Sequence, residues 1–157
     1  MPLIVWTDRM SVGVKLLDND HKKLVLLANE LHDGVLRGQA RPALESIFEE
    51  LSTFTRQHFY HEERLFAETS FPGAVAHRQE HDQLLEQLSE MQLRFTNSAD
   101  MASDMEVMKR LRTWLFKHIQ GADQEFVEHL KSKGVDQILA SWSKPIPEIF
   151  ALNISHL

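Results

Sequence analysis

The chain has 157 residues, 43% of them apolar and 25% charged, which is typical of one globular domain. Its formal net charge of −6 argues against a nucleic-acid partner, and no apolar run is long enough for membrane insertion. With no cysteine, disulfides, thiolate nucleophiles, zinc–thiolate sites and iron–sulfur clusters are excluded, and a cytoplasmic location is expected. Nine histidines are the first indication of metal chemistry.

Glycine, proline and capping residues divide the chain into four long helical segments. Asp18 is expected to cap the first, Pro42 suits the first turn of the second, and Pro72 opens the third. Gly134 is expected to stop the fourth. The four predicted helices cover residues 19–37, 42–67, 73–95 and 101–132.

Shorter segments flank these helices. Residues 1–17 are expected to form an irregular N-terminal arm, and a short helix is expected at 135–142. We expect a bundle domain at residues 1–140 and a C-terminal tail at 141–157, in which two prolines prevent a continuous helix. Apolar residues in the tail, such as Trp142, could pack back onto the bundle or mediate an association.

The apolar residues recur at helical spacing in every long segment, and period-two alternation is scarce. Four amphipathic helices joined by short loops favour an all-α fold, an antiparallel up-down-up-down four-helix bundle with an N-terminal arm and a short C-terminal extension.

Polar side chains interrupt the apolar face of each predicted helix. Because residues four apart lie on one helix face, the stretch "HFYHE" aims a histidine and a glutamate the same way, and "HRQEH" does so for two histidines. The interrupting residues are His21 in the first helix, His58 and Glu62 in the second, His77 and His81 in the third, and His118 in the fourth.

A buried imidazole or carboxylate costs several kcal/mol unless a partner satisfies it. A lone histidine on such a face is more often a hydrogen-bonded core residue than a ligand. The same register on four helices instead favours a shared ligand, and a metal ion is the natural one.

The fourth helix offers one further carboxylate, Asp123, five residues after His118. On an ideal α-helix this spacing turns the side chain about 140° away from the shared face. We therefore hypothesise a π-bulge near Gly121, a widened turn of the kind found at functional sites. Two metals bridged by carboxylates would use all seven side chains, and the nitrogen and oxygen ligands suit iron, manganese, zinc or copper.

The motifs at His21, His58–Glu62 (HxxxE), His77–His81 (HxxxH) and His118–Asp123 (HxxxxD) resemble those of hemerythrin, specifically the single-domain bacterial hemerythrins. The opening "W…SVGVKLLDNDHKKL" is similar to the arm and first ligand motif of that family. The resemblance covers residues 6–132 and matches all seven positions in order.

This resemblance implies a non-heme di-iron centre with an oxo or hydroxo bridge that binds O2 reversibly. One iron would be six-coordinate, and the other would be five-coordinate with a vacancy for O2. The implied ligands are His77, His81 and His118 for the first iron, His21 and His58 for the second, and Glu62 and Asp123 as bridges.

The resemblance also implies an O2 pocket that is apolar and therefore dry, so that neither water nor a proton drives peroxide out. None of its side chains offers a general acid, which argues against an oxygenase. The implied pocket residues are Leu24, Phe59, Trp114, Leu115 and Ile119, of which several could equally be plain core residues.

Other polar residues near the motifs fall outside the shared face. His61 is expected at the surface or its boundary, and Glu63 and Arg64 as solvated charges. His129 lies too far along the helix to share the site, and a hydrogen bond at the end of the bundle is expected for it. Backbone carbonyls are the default partners for orienting the ligating imidazoles.

The expected function is a binding protein and not an enzyme: an O2 carrier, store or supplier to an oxygen-consuming enzyme, with a monomeric state favoured. A sensor, a peroxide- or NO-handling enzyme and a structural zinc or iron bundle are the alternatives. A sensor would normally carry an output domain, and beyond the bundle the sequence offers only the tail.

Overall fold

The computed structural model describes residues 1–120 and 123–142, with the side chains of residues 123 and 124 left out. Within these ranges all regular structure is helical, which confirms the predicted all-α class. A 3-10 turn at Asp8–Met10 precedes the helices, which are α1 (Lys15–Leu36), α2 (Arg41–Thr69), α3 (Ala74–Thr96), α4 (Met101–Gln120), α5 (Asp123–Ser132) and α6 (Val135–Trp142).

Helix α1 begins four residues earlier than predicted, so the expected capping role of Asp18 is wrong. The backbone N–H of Asp18 already donates to the carbonyl of Val14, 2.9 Å away, in the first turn of the helix. Its carboxylate instead accepts hydrogen bonds from the hydroxyl of Ser11 and the N–H of Val12. The carboxylate therefore fixes the N-terminal arm to the start of α1.

The other predicted helix boundaries agree closely with the structure. Pro42 lies in the first turn of α2, where its missing N–H leaves no helical hydrogen bond unmade. Gly134, the second residue after α5, has φ +68°, a conformation that glycine adopts without strain. The short helix predicted at 135–142 is confirmed as α6.

The predicted fourth helix at 101–132 corresponds to α4 and α5, whose outer ends lie at the predicted residues. Residues 121 and 122 lie outside the described part of the chain, so a single continuous helix stays a prediction. The hypothesised π-bulge at Gly121 falls outside the described residues, and so do the tail residues 143–157.

The four long helices contact one another in a closed ring, in which α1 and α3 each pack against both α2 and α4. This adjacency is the one that the expected bundle requires. Two apolar clusters fill the interior. The first contains Leu24, Leu31, Leu88 and Leu111, and the second contains Leu17, Leu65, Phe66 and Phe126.

The predicted ligand positions lie between these two clusters along every helix. In α1, His21 follows Leu17 of the second cluster and precedes Leu24 of the first. In α4, His118 follows Leu115 of the first cluster, and Phe126 of the second comes after it in α5. The apolar packing on both sides therefore holds the polar layer in register.

The N-terminal arm is attached to the outside of α1 by a reciprocal pair of hydrogen bonds. The side chain of Asn29 accepts from the N–H of Ile4 at 2.9 Å and donates to its carbonyl at 2.8 Å.

Among the described helices, none is both long enough and apolar enough to span a bilayer.

At the end of the bundle opposite the second apolar cluster, Arg41 joins three helices. Its guanidinium donates two hydrogen bonds to the carboxylate of Asp104, at 3.1 and 3.0 Å, and lies 4.7 Å from the ring centre of Phe95. The Asp104 side chain is only 7% exposed, so its charge depends on this two-point contact.

We predict that Asp104→Ala lowers the free energy of unfolding by about 2 kcal/mol, because it leaves a partly buried guanidinium without its partner. The matched control is Asp33→Ala, which removes the exposed pair between Asp33 and Arg37. That variant should change stability by less than about 0.5 kcal/mol. Urea unfolding measures both, and equal losses in the two variants would contradict the role of burial.

Candidate metal centre

Six of the seven predicted ligand residues come together at the middle of the bundle. None of the six is more than 5% exposed, and Glu62 is completely buried. Each of the four helices contributes at least one of them: His21 from α1, His58 and Glu62 from α2, His77 and His81 from α3, and His118 from α4.

The potential ligand atoms form two groups, within each of which they lie no more than 4.8 Å apart. The first group contains His21, His58, Glu62 and His118, and the second contains Glu62, His77 and His81. Glu62 belongs to both groups and is the point at which they join.

The two carboxylate oxygens of Glu62 face different histidines. Its Oε2 atom lies 2.8 Å from Nε2 of His81 and 3.5 Å from Nε2 of His77. Its Oε1 atom lies 3.0 Å from Nε2 of His58 and 3.9 Å from Nε2 of His118. Among the described residues, Glu62 therefore places one carboxylate oxygen toward each group.

The side chain of Asp123 is outside the described residues, although α5 begins at this position. Its predicted ligand role therefore stays a prediction.

A buried aspartate that the sequence reasoning missed orients His58. The Asp20 carboxylate, 6% exposed, accepts a hydrogen bond from Nδ1 of His58 at 2.9 Å. The same oxygen accepts a second from Nδ1 of His61 at 2.8 Å, which places His61 at the predicted boundary position with its side chain 21% exposed. Because Asp20 holds Nδ1, Nε2 of His58 is the ring atom directed at the centre.

A second carboxylate corrects the prediction that Glu63 is a solvated charge. Its Oε1 atom lies 3.1 Å from Nδ1 of His81, although its side chain remains 35% exposed. The default expectation of backbone carbonyl partners is therefore wrong for both His58 and His81. In the sequence, only one feature indicated that Asp20 and Glu63 orient histidines: they are the immediate neighbours of His21 and Glu62.

Burial and mutual proximity set the protonation of the cluster. Burial alone would raise the pKa of Glu62, but His58 and the other imidazoles outweigh it and hold that pKa well below its usual value. Burial lowers the pKa of His21 to about 4, and it also lowers the pKa of His118 well below its ordinary range. These groups therefore remain in their metal-binding forms at neutral pH.

His58 behaves differently and shows where a cation fits. Burial would lower its pKa, but the carboxylates of Glu62 and Asp20 outweigh this and raise the pKa to about 9. The proton on Nε2 of His58 faces Nε2 of the neutral His118 at 2.9 Å, and Oε1 of Glu62 lies 3.0 Å away. A single proton therefore lies among the buried lone pairs of His118 and Glu62. A metal cation would compensate these lone pairs better than one proton does.

The chemistry of the donors limits which cation is suitable. Five imidazoles and one carboxylate, with no sulfur, suit iron, manganese, zinc or copper better than calcium or magnesium, which prefer all-oxygen sites. The described residues therefore fit a transition-metal centre.

The predicted pocket residues are all buried and all belong to the first apolar cluster. The ring of Phe59 stacks on His81 with the ring centres 3.9 Å apart. The indole N–H of Trp114 donates to the carbonyl of Leu84, 3.0 Å away, and fixes α4 to α3 beside the centre. The apolar group next to the cluster consists of Leu24, Phe59, Trp114, Leu115 and Ile119.

His129 has the role predicted for it outside the cluster. Its Nε2 atom donates to the carbonyl of Thr69, 2.9 Å away, and so ties α5 to the end of α2.

A four-helix bundle that buries five imidazoles and a shared carboxylate in its middle layer defines a metal-binding bundle protein. Residues 12–130 match the family model described as the hemerythrin HHE cation binding domain. The chain belongs to the hemerythrin family, a class of non-heme iron proteins that bind oxygen, which confirms the resemblance seen in the sequence.

Curated relatives and solved structures agree with this family. The chain is 32% identical to the bacteriohemerythrin of Stenotrophomonas maltophilia over 84% of each chain, and 31% identical to that of Pseudomonas aeruginosa over 83% of this chain and 84% of the relative. Two crystal structures of hemerythrin, of mutants in which one leucine is replaced by alanine or by tyrosine, superpose with a TM-score of 0.72 at 25% identity, covering 83% of this chain and 98% of theirs.

We predict that Asp20→Ala lowers the affinity of the centre for metal about 10- to 100-fold, because His58 loses the carboxylate that orients its ring. Asp20→Asn, which keeps an acceptor oxygen without the charge, should lose less. Asp82→Ala is the matched control, since Asp82 is an exposed aspartate that also adjoins a cluster histidine in sequence. Competition with a chromophoric chelator measures the affinity, and an equal affinity for Asp20→Ala and Asp82→Ala would refute the prediction.

Proposed function

We propose that this protein binds O2 reversibly at a non-heme di-iron centre and serves in oxygen storage or in delivery to oxygen-requiring enzymes. The observation that carries the proposal is the position of Glu62, whose two oxygens face two separate groups of imidazoles. A single metal ion would not need a carboxylate in that position.

In the proposed arrangement, His77, His81 and His118 hold one iron, and His21 and His58 hold the other. Glu62 and Asp123 bridge the two ions. His118 is the one residue whose nearest described neighbours differ from this assignment, because its Nε2 atom groups with His21 and His58. Either grouping divides the histidines three and two and leaves one coordination position open for O2, and we keep His118 with His77 and His81 as the family resemblance implies.

A pair of ferrous ions would supply the two electrons that O2 takes up on binding and gives back on release. The apolar side chains beside the centre would favour that reversible exchange by keeping water away from one side of it. Leu115 is fully buried and Phe59 is 2% exposed, and neither carries a group that donates a proton. The apolar side chains beside the centre therefore favour a carrier over an enzyme that must protonate bound oxygen.

The direct test is the visible spectrum of the iron-loaded, reduced protein with and without O2. We expect an oxygen-dependent charge-transfer band that disappears under vacuum and returns over repeated cycles. His118→Ala should abolish the band because it removes a proposed ligand. His129→Ala should keep it, since His129 lies outside the cluster. A spectrum that does not respond to O2 would overturn the proposal.

A further prediction tests whether the apolar side chains keep water from the centre. Leu115→Asn should accelerate autoxidation roughly tenfold, because a buried amide recruits water to a site that was dry. Leu115→Met is the control, since it nearly conserves the volume and remains apolar. Decay of the oxygen-dependent band at constant temperature measures both rates. Equal rates for the two variants would contradict the proposed role of the apolar pocket.

A further inference from the structure

Every described residue of the cluster is at least 95% buried, so a metal ion needs a passage to reach it. An ion that crossed either apolar cluster would lose its hydration without compensation, at a large cost in free energy. The α2 side is also closed, because Phe59 stacks on His81 and Asp20 holds His58.

A cleft of about 350 Å³ between α3 and α4 reaches the centre from solvent. Its inner wall contains His77, His81 and His118, and its outer wall is made of exposed polar side chains. Six waters at about 30 Å³ each occupy roughly 180 Å³, which is less than the volume of the cleft. The residues on the outer wall are Glu80, Gln83, Gln87 and Lys117.

Glu80 is the anionic group at this opening. It lies three residues after His77 and therefore on the same side of α3. Gln83 and Gln87 continue that face along α3 and offer amide oxygens that can replace water molecules. An incoming cation thus meets the exposed carboxylate of Glu80, and the buried imidazole of His77 lies about one turn away along α3.

Lys117 on the opposite wall carries the reverse charge. It directly precedes His118 in α4, and no ion pair within 4.0 Å joins it to Glu80 in the described part of the chain. It opposes the approach of a cation, so the loading rate reflects the balance of these two charges. The formal charge of −6 over the whole chain adds a general attraction for cations.

We propose that the α3–α4 cleft is the route by which hydrated divalent transition-metal ions load the centre, with Glu80 as the residue that captures them. This inference rests on the proposed metal centre, but it concerns the rate of loading and not the final occupancy. Glu80 acts on the ion in transit and is not a ligand of the filled site.

The test is stopped-flow loading of the metal-free protein with Co(II), followed by its d–d absorbance at low ionic strength. Glu80→Gln should lower the second-order rate constant about fivefold, and Lys117→Gln should raise it by a similar factor. Glu86→Gln is the matched control, because Glu86 is an exposed glutamate of the same helix that does not line the cleft. The differences should shrink in 0.5 M salt, where exposed charges are screened beyond about 4 Å.

A steric variant tests the passage independently of charge. Gln83→Trp should slow loading while the final Co(II) content stays at the wild-type value. If a metal-free variant loses its helical circular dichroism, release of iron from the loaded protein to excess chelator is measured in its place, since ions leave by the route they enter.

Two results would overturn the loading route: equal rates for Glu80→Gln and Glu86→Gln, or loading of Gln83→Trp as fast as the wild type. A different result would contradict the proposed function itself. Wild-type protein that binds fewer than two Co(II) ions would refute the two-metal centre, whatever the relative rates of the variants.

Discussion

The fold is organised around a carboxylate that is buried without any contact with solvent. An ionised carboxylate in an apolar interior costs several kcal/mol unless other groups compensate its charge. Glu62 obtains that compensation from imidazoles of α2, α3 and α4, at distances of 2.8 to 3.9 Å. The relative positions of these helices are therefore restrained by one side chain, and the apolar clusters above and below it must fit the same register.

Carboxylates outside the cluster orient its histidines. Asp20 accepts from both His58 and His61 with one oxygen, and Glu63 approaches His81. Each contact fixes which ring nitrogen of the histidine faces the centre. Of the two, Asp20 is buried and Glu63 is partly exposed, so the surroundings of His58 and His81 differ in polarity.

The centre has a dry side and a wet side. The apolar side chains around Leu115 separate it from water in one direction, whereas the cleft beside Glu80 and Lys117 connects it with solvent in the other. The hydrogen bond from Trp114 to the carbonyl of Leu84 lies at the seam between α3 and α4, where these two environments meet.

The sequence by itself determined the helices, their inward faces and six of the residues that meet in the core, because a period of 3.6 residues fixes which side chains share a face. It did not reveal that Asp18 fastens the arm to α1, or that Asp20 and Glu63 orient histidines. Those features depend on distances between elements far apart in the chain, such as the 38 residues between Asp20 and His58. Only tertiary packing decides which polar group meets which partner, since periodicity specifies a direction from one helix and not what stands opposite it.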